Sequence, residues 1–228
     1  MQINHPDRLI QTQAVVARLF DGVAPVGVAV TDPRAPQPAL IGNEAAHLTR
    51  AFPARKREFA AGRAAVRQAM ASLDLPPKPV PADADRAPLW PDGLAGSISH
   101  STSLCAAVVT CAGMSLGVDL EEITDLEPGL LSSICSDQEL ARIAGPDQLR
   151  LAKLIFSTKE AVYKAQYPLT GLLIGFDHVD IALDLRRLAF TATFVKPAGC
   201  FTVGDQLPGR FDGVANHLVT AAWADIAG

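Results

Sequence analysis

Phe156-Ser157-Thr158-Lys159-Glu160-Ala161-Val162-Tyr163-Lys164-Ala165 lies inside an apolar-periodic segment running from about Asp147 to Gln166. Leu151, Leu154, Ile155, Ala161, Val162 and Ala165 recur there at helical spacing, so that stripe faces a core. At about 100° per residue, Lys153, Ser157, Glu160 and Lys164 fall on the opposite side. A carboxylate and an ammonium group one turn apart then share a face. Alone, that is a solvated i,i+4 ion pair contributing about 0.2–0.5 kcal/mol. The helix is expected to end before Pro168, because the residue preceding a proline is pushed out of the helical region.

Two upstream stretches change that reading. Ser115-Leu116-Gly117-Val118-Asp119-Leu120-Glu121 reads as a strand, with Gly117, Asp119 and Glu121 on one face and Val118 and Leu120 on the other. Two carboxylates pointing the same way repel unless a cation lies between them, so this pair beside a third acid is a natural oxygen site for Mg2+. Further upstream, Gly96-Ser97-Ile98-Ser99-His100-Ser101 is rich in hydrogen-bond donors.

Pro88-Leu89-Trp90-Pro91-x-Gly93-x-x-Gly96-Ser97-Ile98-Ser99-His100-Ser101, Gly117-Val118-Asp119-Leu120-Glu121 and Phe156-Ser157-x-Lys159-Glu160-Ala161-x-Tyr163-Lys164-Ala165 together resemble the signature blocks of the 4′-phosphopantetheinyl transferase superfamily. Arg55-Lys56-Arg57-Glu58-Phe59-Ala60-Ala61-Gly62-Arg63 extends the likeness upstream. Chain size and the Trp-Pro variant are similar to the enterobactin-synthetase-component branch, related to the surfactin-type enzymes, rather than to the short trimeric carrier-protein synthases.

The resemblance implies an α+β fold: a pseudo-twofold monomer of two similar halves with antiparallel sheets and the active site in the cleft between them. The halves are expected at residues 1–121 and 122–228. The implied reaction moves the phosphopantetheine arm of coenzyme A to a serine of an apo acyl or peptidyl carrier protein, a holo-acyl-carrier-protein synthase activity. Adenosine 3′,5′-bisphosphate is the other product. Asp119, Glu121 and Glu160 are expected to hold Mg2+, and Glu160 to take the serine proton directly or through a metal-bound water. Lys164 is expected to neutralise the departing phosphate. His100 and Ser99 are assigned to coenzyme A phosphate oxygens, with Arg55, Arg63 and Arg86 on the 3′-phosphate or diphosphate.

The bulk numbers agree. With 228 residues, 49% hydrophobic and 19% charged, the chain is globular and can bury one large core or two small ones. A net charge of -4 gives no reason to expect general nucleic-acid binding, which wants a basic surface, so any anion site is local. The first residues do not form a signal sequence, and no apolar run reaches the roughly 18 residues of a membrane span. A cytoplasmic protein is expected. The cysteines, Cys105, Cys111, Cys135 and Cys200, show no metal or disulfide spacing.

Along the chain, Pro25 to Thr31 reads as a strand. Gly42 to Phe52 and Arg55 to Leu73 read as helices, the second stabilised by Phe59, Val66, Ala69, Met70 and Leu73. Gly62 inside it costs about 1 kcal/mol relative to Ala, which implies close approach of a neighbouring backbone or ligand. Arg50, Arg55, Lys56, Arg57, Arg63 and Arg67 form either a solvated basic face or, as the resemblance suggests, a coenzyme A site. Ser103 to Thr110 and Ser115 to Leu120 are expected to pair as a hairpin across Cys111 to Met114. Ser136-Asp137-Gln138-Glu139 is a capping box. Val179 to Leu183, Leu188 to Val195, Cys200 to Val203 and His217 to Ala224 read as antiparallel strands.

Two rival readings stand beside this one. An esterase would use Ser99 or Ser101 with His100, but adjacent strand residues point to opposite faces and no Gly-x-Ser-x-Gly elbow is present. A non-catalytic coenzyme A or carrier-docking module would not need the acidic set, which is complete.

Overall fold

The computed structural model describes residues 5–48 and 51–225. Arg50, counted above in the basic group, lies outside them. Contacts divide the chain into two compact units, Met1–Met114 and Ser115–Gly228.

The first unit contains α1 (His5–Leu19), β1 (Gly27–Thr31), α2 (Pro53–Ala71), β2 (Ala95–His100) and β3 (Cys105–Thr110), with a 3-10 turn at Glu44–Leu48. Its antiparallel sheet has the order β1-β3-β2, with Gly27 opposite Val109 and His100 opposite Cys105. α2 opens on Pro53, whose missing N–H costs nothing at a position where the first-turn donors lack helical partners anyway. It packs on β1 and β3 through Ala65, Val66, Ala69 and Met70. A Cβ on Gly62 would lie 3.1 Å from Ile98 Cγ2 and 3.5 Å from Cys105 Sγ. What that glycine meets is a pair of side chains from the sheet, where a backbone or a ligand was expected. The helix expected over Gly42 to Phe52 is only the 3-10 turn where described. α1 was not foreseen; it buries Val15, Val16 and Leu19 and packs on β1.

The second unit holds β4 (Met114–Glu122), α3 (Leu131–Ile134), α4 (Asp137–Arg142), α5 (Gln148–Thr170), β5 (Val179–Asp184), β6 (Ala189–Phe194), β7 (Gln206–Val214) and β8 (His217–Asp225). These strands form a sheet in the order β4-β8-β7-β6-β5. The core joins Ile155, Ala161 and Val162 of α5 to Ile181, Phe190, Phe194, Phe211 and Ala222 of the sheet. The capping box opens α4 as read: Ser136 Oγ accepts from the Glu139 N–H, and Glu139 Oε2 accepts from the Ser136 N–H.

Three sequence expectations change. β3 and β4 do not form a hairpin, because β1 and β2 occupy both edges of β3 and β4 pairs with β8 instead. That pairing gives β4 to the second sheet and puts the division at Met114/Ser115 rather than after Glu121. α5 runs through Pro168 to Thr170 and closes on Gly171, whose left-handed backbone (φ 65°) lets its N–H reach Tyr167 O at 2.8 Å. A proline in the last turn removes one helical donor without a following turn to disrupt. Finally, Cys200 to Val203 is a turn, and the strand lies further on, at Gln206–Val214.

Candidate active site

In the second unit the site begins with a glycine. A Cβ on Gly117 would stand 1.8 Å from Ala161 O, so only glycine lets β4 lie this close to α5. Ser115 Oγ donates to Ala165 O at 2.6 Å and fastens the same contact. The alternation of β4 then delivers Asp119 and Glu121 to the polar side of α5.

Asp119 is 4% exposed and held at both oxygens. Lys164 Nζ donates to Oδ1 at 2.7 Å and Ser157 Oγ to Oδ2 at 2.8 Å. Lys164 also reaches Val118 O at 3.2 Å. Glu121 is half-buried and accepts from Lys153 Nζ at 2.5 Å. Glu160 is also half-buried, and burial pushes its carboxyl above the ordinary range. The Lys164 charge opposes that rise, while the Asp119 and Glu121 charges add to it. The three acids therefore share one electrostatic neighbourhood. Lys153, Glu160 and Lys164 are not on a solvated face as first read; all three are half-buried, and Ser157 is fully buried.

The expected convergence on one ion is not already built. Among the described residues, no group of three or more His, Cys, Asp or Glu side chains is arranged to hold a metal. Two of the acids are neutralised by ammonium groups instead. The donor set nonetheless fits a hard divalent cation in kind: it is all oxygen, and the charges of Asp119 and Glu121 raise the proton affinity of Glu160, a repulsion that a divalent ion relieves.

Lys159, adjacent to Glu160 in sequence, faces the opposite way. It is 2% exposed and donates to Glu139 Oε2, Ile134 O and Phe176 O, each at 2.8 Å. Glu139, fully buried, also accepts from the Ile181 N–H at 2.7 Å. This buried pair ties α5 to α4, α3 and β5, and fixes the helix that carries Glu160. The sequence contained the signal: Lys159 falls four residues after Ile155 and three before Val162, on the apolar stripe, where a charge requires a buried partner.

In the first unit, the end of β2 meets the first turn of α2. Arg55 Nη1 lies 2.9 Å from His100 Nε2, and Glu58 is 3.5 Å from Arg55 and 3.8 Å from His100. Because arginine only donates, Nε2 accepts here and the ring proton sits on Nδ1. Glu58 was quoted in the sequence motif without a role. Ser99 is buried where His100 is exposed, so the two point to opposite faces of β2. Ser101 Oγ accepts from the Leu104 N–H at 3.1 Å and shapes the turn after His100.

The arginines divide by partner. Arg67 pairs with buried Glu44 at 3.0 Å and is structural. Arg63 is largely buried, stacks over Phe59, and donates from Nε to Val80 O and from Nη2 to Pro81 O. Burial lowers its pKa to about 10, with Glu44 and Cys105 opposing and the charges of Arg55 and Arg67 adding. Arg86 is exposed on a loop closed by its N–H to Asp83 O, with its own backbone left-handed at φ 69°.

Residues 43–110 match the family described as 4'-phosphopantetheinyl transferase N-terminal domain, and residues 115–219 match the 4'-phosphopantetheinyl transferase superfamily. The chain belongs to the 4′-phosphopantetheinyl transferase superfamily. It is 39% identical to the 4'-phosphopantetheinyl transferase Svp of Streptomyces mobaraensis over 87% of this chain and 83% of that one. It is 34% identical to the 4'-phosphopantetheinyl transferase PptT of Mycobacterium tuberculosis, over 67% and 69%. With enterobactin synthase component D of Salmonella typhi the identity is 39%, over 56% of this chain and 54% of that protein.

Proposed function

We propose that this chain transfers the 4′-phosphopantetheine arm of coenzyme A to a serine of an apo acyl or peptidyl carrier protein. The serine oxygen forms a new P–O bond at the phosphorus bearing pantetheine. The bridging P–O bond breaks, and adenosine 3′,5′-bisphosphate leaves with the electron pair. The observation that carries this reading is Glu160, half-buried beside two acids and one lysine, with its proton affinity raised by burial. A carboxylate so tuned is a better base toward a serine hydroxyl than a solvated one.

Asp119, Glu121 and Glu160 would hold Mg2+, which supplies charge neutralisation on the diphosphate when bound. Lys164 orients Asp119 and adds positive charge for the leaving phosphate. Arg55, Arg63, Arg86, Ser99 and His100 would bind the phosphates of coenzyme A. In support, the Arg55 charge adds to the lowering of the Arg63 proton affinity, a repulsion that a bound phosphate would relieve. Arg63 would use guanidinium donors other than those given to Val80 and Pro81.

The relatives named enterobactin synthase component D favour a siderophore, nonribosomal peptide or polyketide carrier as substrate. We place the reaction in the cytoplasm, catalysed by a monomer. All four cysteines are free thiols, as a reducing compartment favours, and among the described residues no helix is long and apolar enough to cross a membrane. The test is to mix the protein with coenzyme A, Mg2+ and a panel of apo carriers, then weigh each carrier. One or more should gain the mass of one phosphopantetheine; no gain on any carrier overturns the reading.

A further inference from the structure

Behind Asp119 lies a chain of hydroxyl groups that the proposed chemistry does not use. Thr220 of β8 donates from Oγ1 to Ser157 O at 2.9 Å and lies 3.0 Å from Ser157 Oγ. Ser157 Oγ donates to Asp119 Oδ2 at 2.8 Å. Both hydroxyl residues are fully buried. Each hydroxyl carries one proton: Ser157 gives its own to Asp119, and Thr220 gives its own to Ser157 O, with Ser157 Oγ close enough to share it. The opposite oxygen, Oδ1, is taken by Lys164. A solvated contact could be replaced by water, but this one sits where α5, β4 and β8 meet in the second unit.

We propose that Ser157 is a positioning residue, backed by Thr220, that orients the Asp119 carboxylate for the divalent cation. The inference rests on the reading of Asp119 as a ligand. Partners behind a metal ligand fix its orientation, and their loss typically weakens metal affinity by about 10–100-fold. Thr220 acts one step further back, by holding the Ser157 backbone carbonyl and standing against its Oγ.

The test measures Mn2+ affinity by electron paramagnetic resonance on the coenzyme A complex, beside Mg2+ activation, the KM for coenzyme A and thermal unfolding. Ser157→Ala and Thr220→Val should each weaken Mn2+ binding by about ten-fold or more. Both should raise the Mg2+ needed for half-maximal transfer similarly and leave the coenzyme A KM at saturating Mg2+ unchanged. Thr220→Ser, which keeps the hydroxyl, should behave as wild type. If Ser157→Ala does not fold, Thr220→Val decides. Wild-type Mn2+ affinity in both variants, with affinity lost in Asp119→Asn, overturns the positioning role and leaves the site intact. An Asp119→Asn protein that binds Mn2+ like wild type overturns the site reading, and this inference with it.

Discussion

As the proposed base, Glu160 must be ionised, yet its surroundings resist that ionisation. Burial and the charges of Asp119 and Glu121 raise its proton affinity, only partly offset by Lys164. Because its folded pKa lies above the unfolded value, ionisation weakens the fold as pH rises from the unfolded pKa through the folded one. Glu160→Gln should therefore lose transfer by about 10²–10⁴-fold while raising the unfolding temperature at neutral pH. The thermal gain should shrink below the ordinary carboxylate pKa, where wild-type Glu160 is protonated in both states; thermal scans at pH 4 and 7 check this. An unchanged turnover removes Glu160 from the mechanism. Lys159 makes the complementary case. Lys159→Met strands the buried Glu139 carboxylate and should cost about 3–5 kcal/mol in urea unfolding. Adding Glu139→Gln should recover part of that, since the two side chains interact directly.

The elements show why some of the fold was legible in the sequence and some was not. α2 and α5 were readable because their apolar residues recur at helical period, and β4 because alternation separates Asp119 and Glu121 from Val118 and Leu120. β7 was not, since Pro208, Gly209 and Gly213 read as turn residues; pairing with β6 and β8 on either side overrides them. The β3–β4 hairpin was misread for a reason no local pattern contains, namely which neighbours fill the edges of β3. Gly117 is where element geometry meets chemistry. Gly117→Ala places a Cβ against Ala161 O and must push β4 off α5. Overpacking of this kind costs about 1–3 kcal/mol. Displacement of Asp119 and Glu121 by even an ångström can cost about 10²-fold in rate. Circular dichroism should show a folded protein whose transfer rate has fallen by that order.

At the scale of the whole molecule, the residues assigned to recognition and those assigned to chemistry belong to different units. Arg55, Arg63, Arg86, Ser99 and His100 lie in Met1–Met114, and Asp119, Glu121, Glu160 and Lys164 in Ser115–Gly228. The motifs carry both sets, but the contacts of Ser157 with Asp119 and of Glu58 with Arg55 and His100 emerge only once the chain is folded. Kinetics should expose the division. Removing a charge-assisted hydrogen bond to a phosphate costs about 1.5–3 kcal/mol, and each 1.4 kcal/mol is ten-fold in affinity. Arg55→Ala should thus raise the KM for coenzyme A by about ten-fold or more with little change in kcat, because a contact with a non-reacting phosphate is made equally before and in the transition state. Glu160→Gln should do the reverse, lowering kcat while the KM for coenzyme A holds. The net charge of -4 makes Arg55 dependence a local matter, so added salt should weaken wild-type coenzyme A binding more than binding by Arg55→Ala. Should Arg55→Ala lower kcat as severely as Glu160→Gln while KM stays fixed, Arg55 acts on the reacting phosphate and the division of labour between the units is lost.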